Sequence, residues 1–191
     1  NNILSAVMVA PIVEEGSKGL FILLMLRFHK IDNVTDGLLL GIVIGLGFAA
    51  SENVFYAGQV YQSSGEIAMW NNLWYREIHS TLLHASATAI WGTMIGYAKY
   101  SRGIKQRFII LNGFILATVT HGSWNFLASY FTRYKGSTNL IEIIMRFELI
   151  LVFGFLVGLY FYLLRKQSDT ILIELFEEST EGTLPEHHVP F

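Results

Sequence analysis

Apolar residues in this chain gather into long runs, each near the 20 or so residues a helix needs to cross a bilayer, with short polar stretches between them. Five spans are predicted, at about 3–26, 34–61, 77–100, 108–130 and 140–164. Gly, Ser and Asn punctuate the connectors, as in Gln62-Ser63-Ser64-Gly65 and Lys135-Gly136-Ser137-Thr138-Asn139. Gly37, Gly41 and Gly45 recur every fourth residue and share one helix face, and Gly92 and Gly96 do the same later on. Small residues at this spacing let helix backbones approach closely in lipid, so these glycines are read as packing and carry no chemistry. The expected fold is all-α: a polytopic transmembrane helix bundle of about five spans over residues 1–166. An acidic tail, 167–191, follows. It has a short apolar face (Ile171, Leu172, Leu175, Phe176) suited to one surface helix, then an end containing Pro185, His187, His188 and Pro190 that reads as solvated.

Composition sharpens this. Hydrophobic residues make up 52% of the chain and charged residues 15%, against about 25% charge in soluble domains, and the mean hydropathy is +0.44. Loop charges set an orientation. Arg27, Lys30, Lys99, Arg102, Lys105, Arg107, Arg165 and Lys166 would fall on one side, and only Arg76, Arg133 and Lys135 on the other. Asn1 is therefore expected outside a plasma membrane, bacterial in type, and the tail in the cytoplasm. Trp70, Trp74, Tyr75, Tyr130 and Phe131 suit the interfacial aromatic belt. With basic residues confined to loops, the net charge of −2 argues for no nucleic-acid partner. The absence of cysteine excludes disulfides, thiolate metal sites and a cysteine nucleophile. The first run carries two carboxylates and no preceding basic region, unlike a signal peptide. Because the chain starts at Asn1, further N-terminal spans are expected in the whole protein.

Ionisable groups then stand out: Glu14 with Glu15, Glu52, His84 and His121, in four different spans. Counted inward from the outer ends they lie roughly 10–17 Å deep, at about 1.5 Å per residue. A charge in lipid is costly and faces protein, a partner or water, so four such groups at one level predict a polar site built inside the membrane. Lys18 can partner either carboxylate of the pair. Two adjacent carboxylates near one cation should not both ionise freely, which suits one of them to acid–base work. Pro11 places a kink beside them. Asn125 shares a face with His121, Phe48 and Tyr56 share one with Glu52, and Ser80 is expected to orient the His84 ring. Glu142, Arg146 and Glu148 are read as structural, through i,i+4 pairing and snorkelling.

The residues around these groups resemble a known family. Glu14-Glu15-Gly16-Ser17-Lys18 is similar to the EExxK motif of PrsW-type intramembrane proteases, and Phe48-Ala49-Ala50-Ser51-Glu52-Asn53 to their second motif. His79-Ser80-Thr81-Leu82-Leu83-His84 and His121-Gly122-Ser123-Trp124-Asn125 resemble the later histidine motifs. The likeness runs from about residue 11 to 126. The related CAAX prenyl endopeptidases carry an arginine where this chain has Gly19, and a histidine where it has Glu52, so the likeness is to the PrsW branch. It implies hydrolysis of a peptide bond in a membrane-anchored protein, such as an anti-sigma factor, cut near the outer face.

Two mechanisms fit these residues. Glu52, His84 and His121 would hold Zn²⁺ with one position left for water, while Glu14 or Glu15 takes a proton. Alternatively, without metal, the Glu14-Glu15 pair with Glu52 or His84 activates water, and His121 with Asn125 stabilises the oxyanion. A reading from another class is a proton- or cation-coupled transporter using the same buried groups, which would spread polar residues through the whole membrane thickness.

Overall fold

The computed structural model describes residues 3–28, 31–133 and 138–180, and these residues form helices with no strand. A π-helical turn, Ser5–Val9, leads directly into α1 (Ala10–Arg27), followed by α2 (Val34–Ala98), α3 (Gly103–Arg133) and α4 (Thr138–Thr180). The π turn has a local cause. Pro11 has no amide hydrogen and its ring crowds the carbonyl four residues back, that of Val7, and a helix relieves such crowding by widening for one turn. At the start of α2, the Asn33 side chain caps the helix by accepting from the Asp36 amide at 2.9 Å. The Asp36 carboxylate in turn accepts from the Asp32 amide at 2.9 Å.

Helix α2 is 65 residues long but not straight. At Gly65 the backbone has φ 80° and ψ −178°, a conformation open to a residue without Cβ. The arms on either side, 34–64 and 66–98, pack against each other antiparallel. Where the sequence suggested a polar connector between 61 and 77, helix runs on both sides of one glycine, which is enough to reverse the chain. The spaced glycines form the seam. A Cβ at Gly41 would stand 2.6 Å from the Thr88 carbonyl oxygen and 2.7 Å from the Ala89 Cα, and one at Gly45 would stand 2.4 Å from the His84 carbonyl oxygen. Backbone cannot yield at these points as a side chain would. The register of this seam carries Glu52 and Asn53 to the level of Arg76, Ser80 and His84.

This contact predicts a contrast. Gly41→Ala should destabilise the protein by about 1–3 kcal/mol through overpacking. Gly47→Ala, where nothing lies within 4 Å, should be neutral or stabilising by up to about 1 kcal/mol through helix propensity. Thermal unfolding in one detergent would compare the two, and equal shifts would remove the seam from the account.

Polar and apolar residues are placed inside out relative to a soluble protein. Val43, Val54, Phe55, Val119, Phe147 and Ile150 are exposed, whereas Glu15, Lys18, Asn53, His84, Thr88 and His121 are buried. Among the described residues, α2 and the Ile143–Glu178 part of α4 are long and apolar enough to cross a membrane. One apolar cluster, of Ile22, Ile31, Trp91, Ile95 and Ala117, adjoins the buried polar layer. A second joins Leu83 and Trp124 to Met145 and Leu149 of α4. In this second region Glu148 accepts a hydrogen bond from the Ser123 hydroxyl, so it is tied to α3 instead of snorkelling outward as the sequence suggested. The side chain of Glu142 and the His187-His188 pair lie outside the described residues.

The chain divides into two compact units, 1–156 and 157–191. In the second, the end of α4 exposes Phe161, Tyr162, Ile171 and Phe176.

Candidate active site

Neighbours on an α-helix point about 100° apart, so Glu14 and Glu15 cannot face the same way. Glu15 points into the protein and is fully buried. Its Oε1 accepts from Lys18 Nζ at 2.6 Å and from His121 Nδ1 at 2.9 Å, and its Oε2 accepts from the Thr88 hydroxyl at 3.0 Å. One carboxylate thus ties α1 to the second arm of α2 and to α3. Glu14 points instead onto the wall of a cavity of about 570 Å³. Its Oε2 is buried and has no hydrogen-bond partner among the described residues.

The two imidazoles meet beside Glu14, edge to face, with ring centroids 4.8 Å apart. Their tautomers follow from their partners, since an ammonium only donates and a carboxylate only accepts. His121 donates from Nδ1 to Glu15, and its Nε2 lies 3.6 Å from Glu14 Oε2. His84 accepts at Nδ1 from Lys18 Nζ at 2.9 Å and donates from Nε2 to Glu52 Oε2 at 2.8 Å. The Lys18 ammonium also lies 4.1 Å above the centre of the Phe48 ring, which shields a buried cation that Glu15 neutralises. Lys18 therefore serves Glu15 and His84 and leaves Glu14 alone.

The same Oε2 of Glu52 also accepts from Arg76, whose Nη2 lies 2.8 Å away. The same nitrogen donates to Ser80 at 3.1 Å. Ser80 therefore orients Arg76, not the His84 ring as expected from their shared helix face. Asn125 donates from Nδ2 to the Ala6 carbonyl at 3.0 Å, tying α3 to the π turn. The cavity brings together Glu14, Glu52, Arg76, His84, His121 and Asn125, with Tyr56, Tyr75 and Trp124 as aromatic walls. Glu15 is the one predicted site residue that does not line it. His79 stays outside as well, with its ring stacked on Tyr75 at 4.3 Å.

Arg76 and Thr88 were missed by sequence reasoning. Arg76 counted only as a loop charge, yet pairing the two glycine stripes antiparallel sets it opposite Glu52. Thr88 carries no sequence signal apart from lying one turn beyond His84.

A metal would find a donor set here. Ligand atoms of Glu14, His84 and His121 lie within 4.8 Å of one another, and two imidazoles with one carboxylate form an accepted catalytic zinc set. The Glu14 oxygen without a hydrogen bond and the His121 Nε2 3.6 Å from it are two atoms a cation would bridge. Glu15, accepting from His121 Nδ1, stands where a carboxylate would fix this imidazole if it held a metal. The residues thus fit a metal, with Glu14 in the place the sequence had given to Glu52.

Compared with known proteins, the chain matches the family described as PrsW family intramembrane metalloprotease over residues 1–169. It is 33% identical over 123 residues to Protease PrsW of Shouchella clausii (strain KSM-K16), a stretch covering 64% of this chain and 53% of that protein. The chain thus spans about half the length of that relative. No solved structure matches it.

Proposed function

The chain belongs to the PrsW family of intramembrane metalloproteases, and we propose that it hydrolyses a peptide bond of a membrane-anchored protein in the cavity walled by Glu14, Glu52, His84 and His121. One observation carries this reading: the buried Oε2 of Glu14, without a hydrogen bond among the described residues, lies 3.6 Å from His121 Nε2 beside His84. The protein is integral to the membrane. The five spans, the outward Asn1, the cytoplasmic tail beyond residue 166 and cleavage near the outer face belong to this proposal. So does a single-span substrate of the anti-sigma-factor kind. The transporter reading is not favoured, because the family is one of proteases.

Glu14, His84 and His121 would hold the metal, with zinc the ion this donor set suits. When bound, it would polarise the scissile carbonyl and make a water molecule acidic. Glu15 stays buried and accepts from His121 Nδ1, which would turn Nε2 toward the metal when that nitrogen carries no proton. His84 accepts at Nδ1 from Lys18 and donates from Nε2 to Glu52. Holding a metal at Nε2 would therefore need the Nε2 proton to leave and Lys18 to pass one proton to Nδ1, which makes metal uptake release one proton overall. Glu52, held by Arg76 on the cavity wall, takes a proton from the attacking water and returns it to the departing amine. Asn125 has one N–H committed to Ala6, and its second is the donor assigned to the oxyanion. The aromatic walls and the lipid around α1–α3 limit the water that competes with these groups.

Detergent-purified protein should carry about one metal ion per chain, and a chelator should stop cleavage in a panel of single-span substrates until metal is restored. Elemental analysis alongside the cleavage assay checks both points. A metal-free protein that cuts at an unchanged rate with chelator present would remove the metal from the mechanism. Cleavage of no substrate, together with ion flux in proteoliposomes, would favour the transporter.

A further inference from the structure

Arg76 is held more rigidly than a charge partner for Glu52 needs to be. A guanidinium has five N–H donors in a fixed plane. Three are taken by the chain: Nε by Asn53 Oδ1 at 2.9 Å, and the two of Nη2 by Glu52 at 2.8 Å and Ser80 at 3.1 Å. The plane is also fixed by the Tyr56 ring, 4.0 Å from the guanidinium carbon. Asn53 is itself braced by Glu77 and Thr81. What remains is Nη1, whose two N–H groups bond to none of the described residues, on a side chain that lines the cavity.

A peptidase working inside a bilayer has a problem that Nη1 would answer. A substrate helix satisfies its own carbonyls, but the scissile bond is reached only by unwinding, and each carbonyl then freed in a low-dielectric site lacks a donor. The geometry points to Arg76 as a substrate-binding residue, whose Nη1 donates to backbone carbonyls of the unwound segment beside the scissile bond. A neutral carbonyl fits better than a carboxylate, since Glu52 already neutralises the guanidinium and Glu14 shares the cavity. This inference rests on the peptidase reading above.

The test uses the chain in lipid nanodiscs with labelled single-span peptides of about 20 apolar residues that differ in the position of a helix-breaking Gly-Pro pair. Binding is measured in the Glu14→Gln background, so that no cleavage intervenes. Arg76→Lys keeps the charge beside Glu52 but loses the fork. It should weaken binding of the best peptide about ten-fold or more, as expected for loss of a hydrogen bond to a charged group. With Glu14 intact, the same change should raise KM more than it lowers kcat. Equal binding with and without Arg76→Lys overturns the inference, as does a fall in kcat at constant KM, which would reduce Arg76 to holding Glu52. If Arg76→Lys does not fold, a carbon-13 carbonyl at the break gives a second readout. Its infrared band should move to lower frequency when the peptide binds the Glu14→Gln protein, and an unmoved band overturns the inference. Failure of the peptidase reading looks different: the unaltered protein would cut no peptide of the panel.

Discussion

Cleavage of a single-span substrate is expected to fall by about 10²–10⁴-fold, the several kcal/mol a catalytic metal supplies, when Glu14 is replaced by Gln, with the protein still folded. Glutamine has the same shape, and the lost charge has no hydrogen-bond partner to strand, because Glu14 Oε2 is unpaired. The side chain is also one-fifth exposed on the cavity wall, unlike the fully buried Glu15. What disappears is the one anionic oxygen beside His121 Nε2, so bound metal should fall together with activity. Glu52→Gln should behave differently, losing activity while the metal stays. Activity assays, thermal unfolding and elemental analysis on the same preparations separate these outcomes. An active Glu14→Gln protein would sink the proposed site. Metal retained in an inactive one would return Glu14 to the proton-acceptor role and Glu52 to the ligand set.

Glu15→Gln should be damaging in another way. Glu15 accepts from Lys18, His121 and Thr88 at once, and Lys18 is only 2% exposed. Removing the negative charge strands a buried ammonium, which typically costs about 3–5 kcal/mol. The same change frees the His121 ring from its fixed tautomer, so activity falls with stability. Glu15→Leu combined with Lys18→Met gives the sharper result. Replacing a buried pair by apolar groups of similar volume removes the stranded ammonium. This double variant should therefore regain part of the stability lost in Glu15→Gln and remain inactive, the His121 and Thr88 donors staying without an acceptor. A Glu15→Gln protein as stable as the unaltered chain would show that the pair does not hold α1, α2 and α3 together.

These two variants also mark how far the site can be read from the residues. That Glu14, Glu15, Glu52, His84 and His121 come together was legible, because ionisable side chains in apolar runs are expensive and a helix keeps its periodicity in isolation. The division of labour within the Glu14-Glu15 pair was not. Helical phase shows that the two diverge, but only the positions of α2 and α3 show which one meets a cavity and which one meets Lys18, His121 and Thr88. Arg76 is the plainest case. Asn53 and Glu52, which fix its guanidinium from the other arm of α2, are 23 and 24 residues away along the chain, and nothing in the local sequence distinguishes it from a loop charge. Ser80 was assigned to His84 from a shared helix face, but an arginine one turn earlier claims its hydroxyl.

The glycine stripes lie between these extremes. Their spacing announced close packing, and the structure has that packing, yet the stripe alone does not say which helix fills it. The single φ of 80° at Gly65 decides this by folding α2 back on itself. What the sequence determined by itself was therefore everything that depends on one helix at a time: the helical class, the membrane-length apolar runs, the buried charges and the family motifs. What only the tertiary structure decided was everything that depends on the angle between helices. That includes the sharing of hydrogen atoms along Glu15, Lys18, His84 and Glu52, and the approach of His121 Nε2 to the unpaired oxygen of Glu14. A hydrogen bond needs its two atoms within about 3 Å, and for groups on different helices only the packing register supplies that precision.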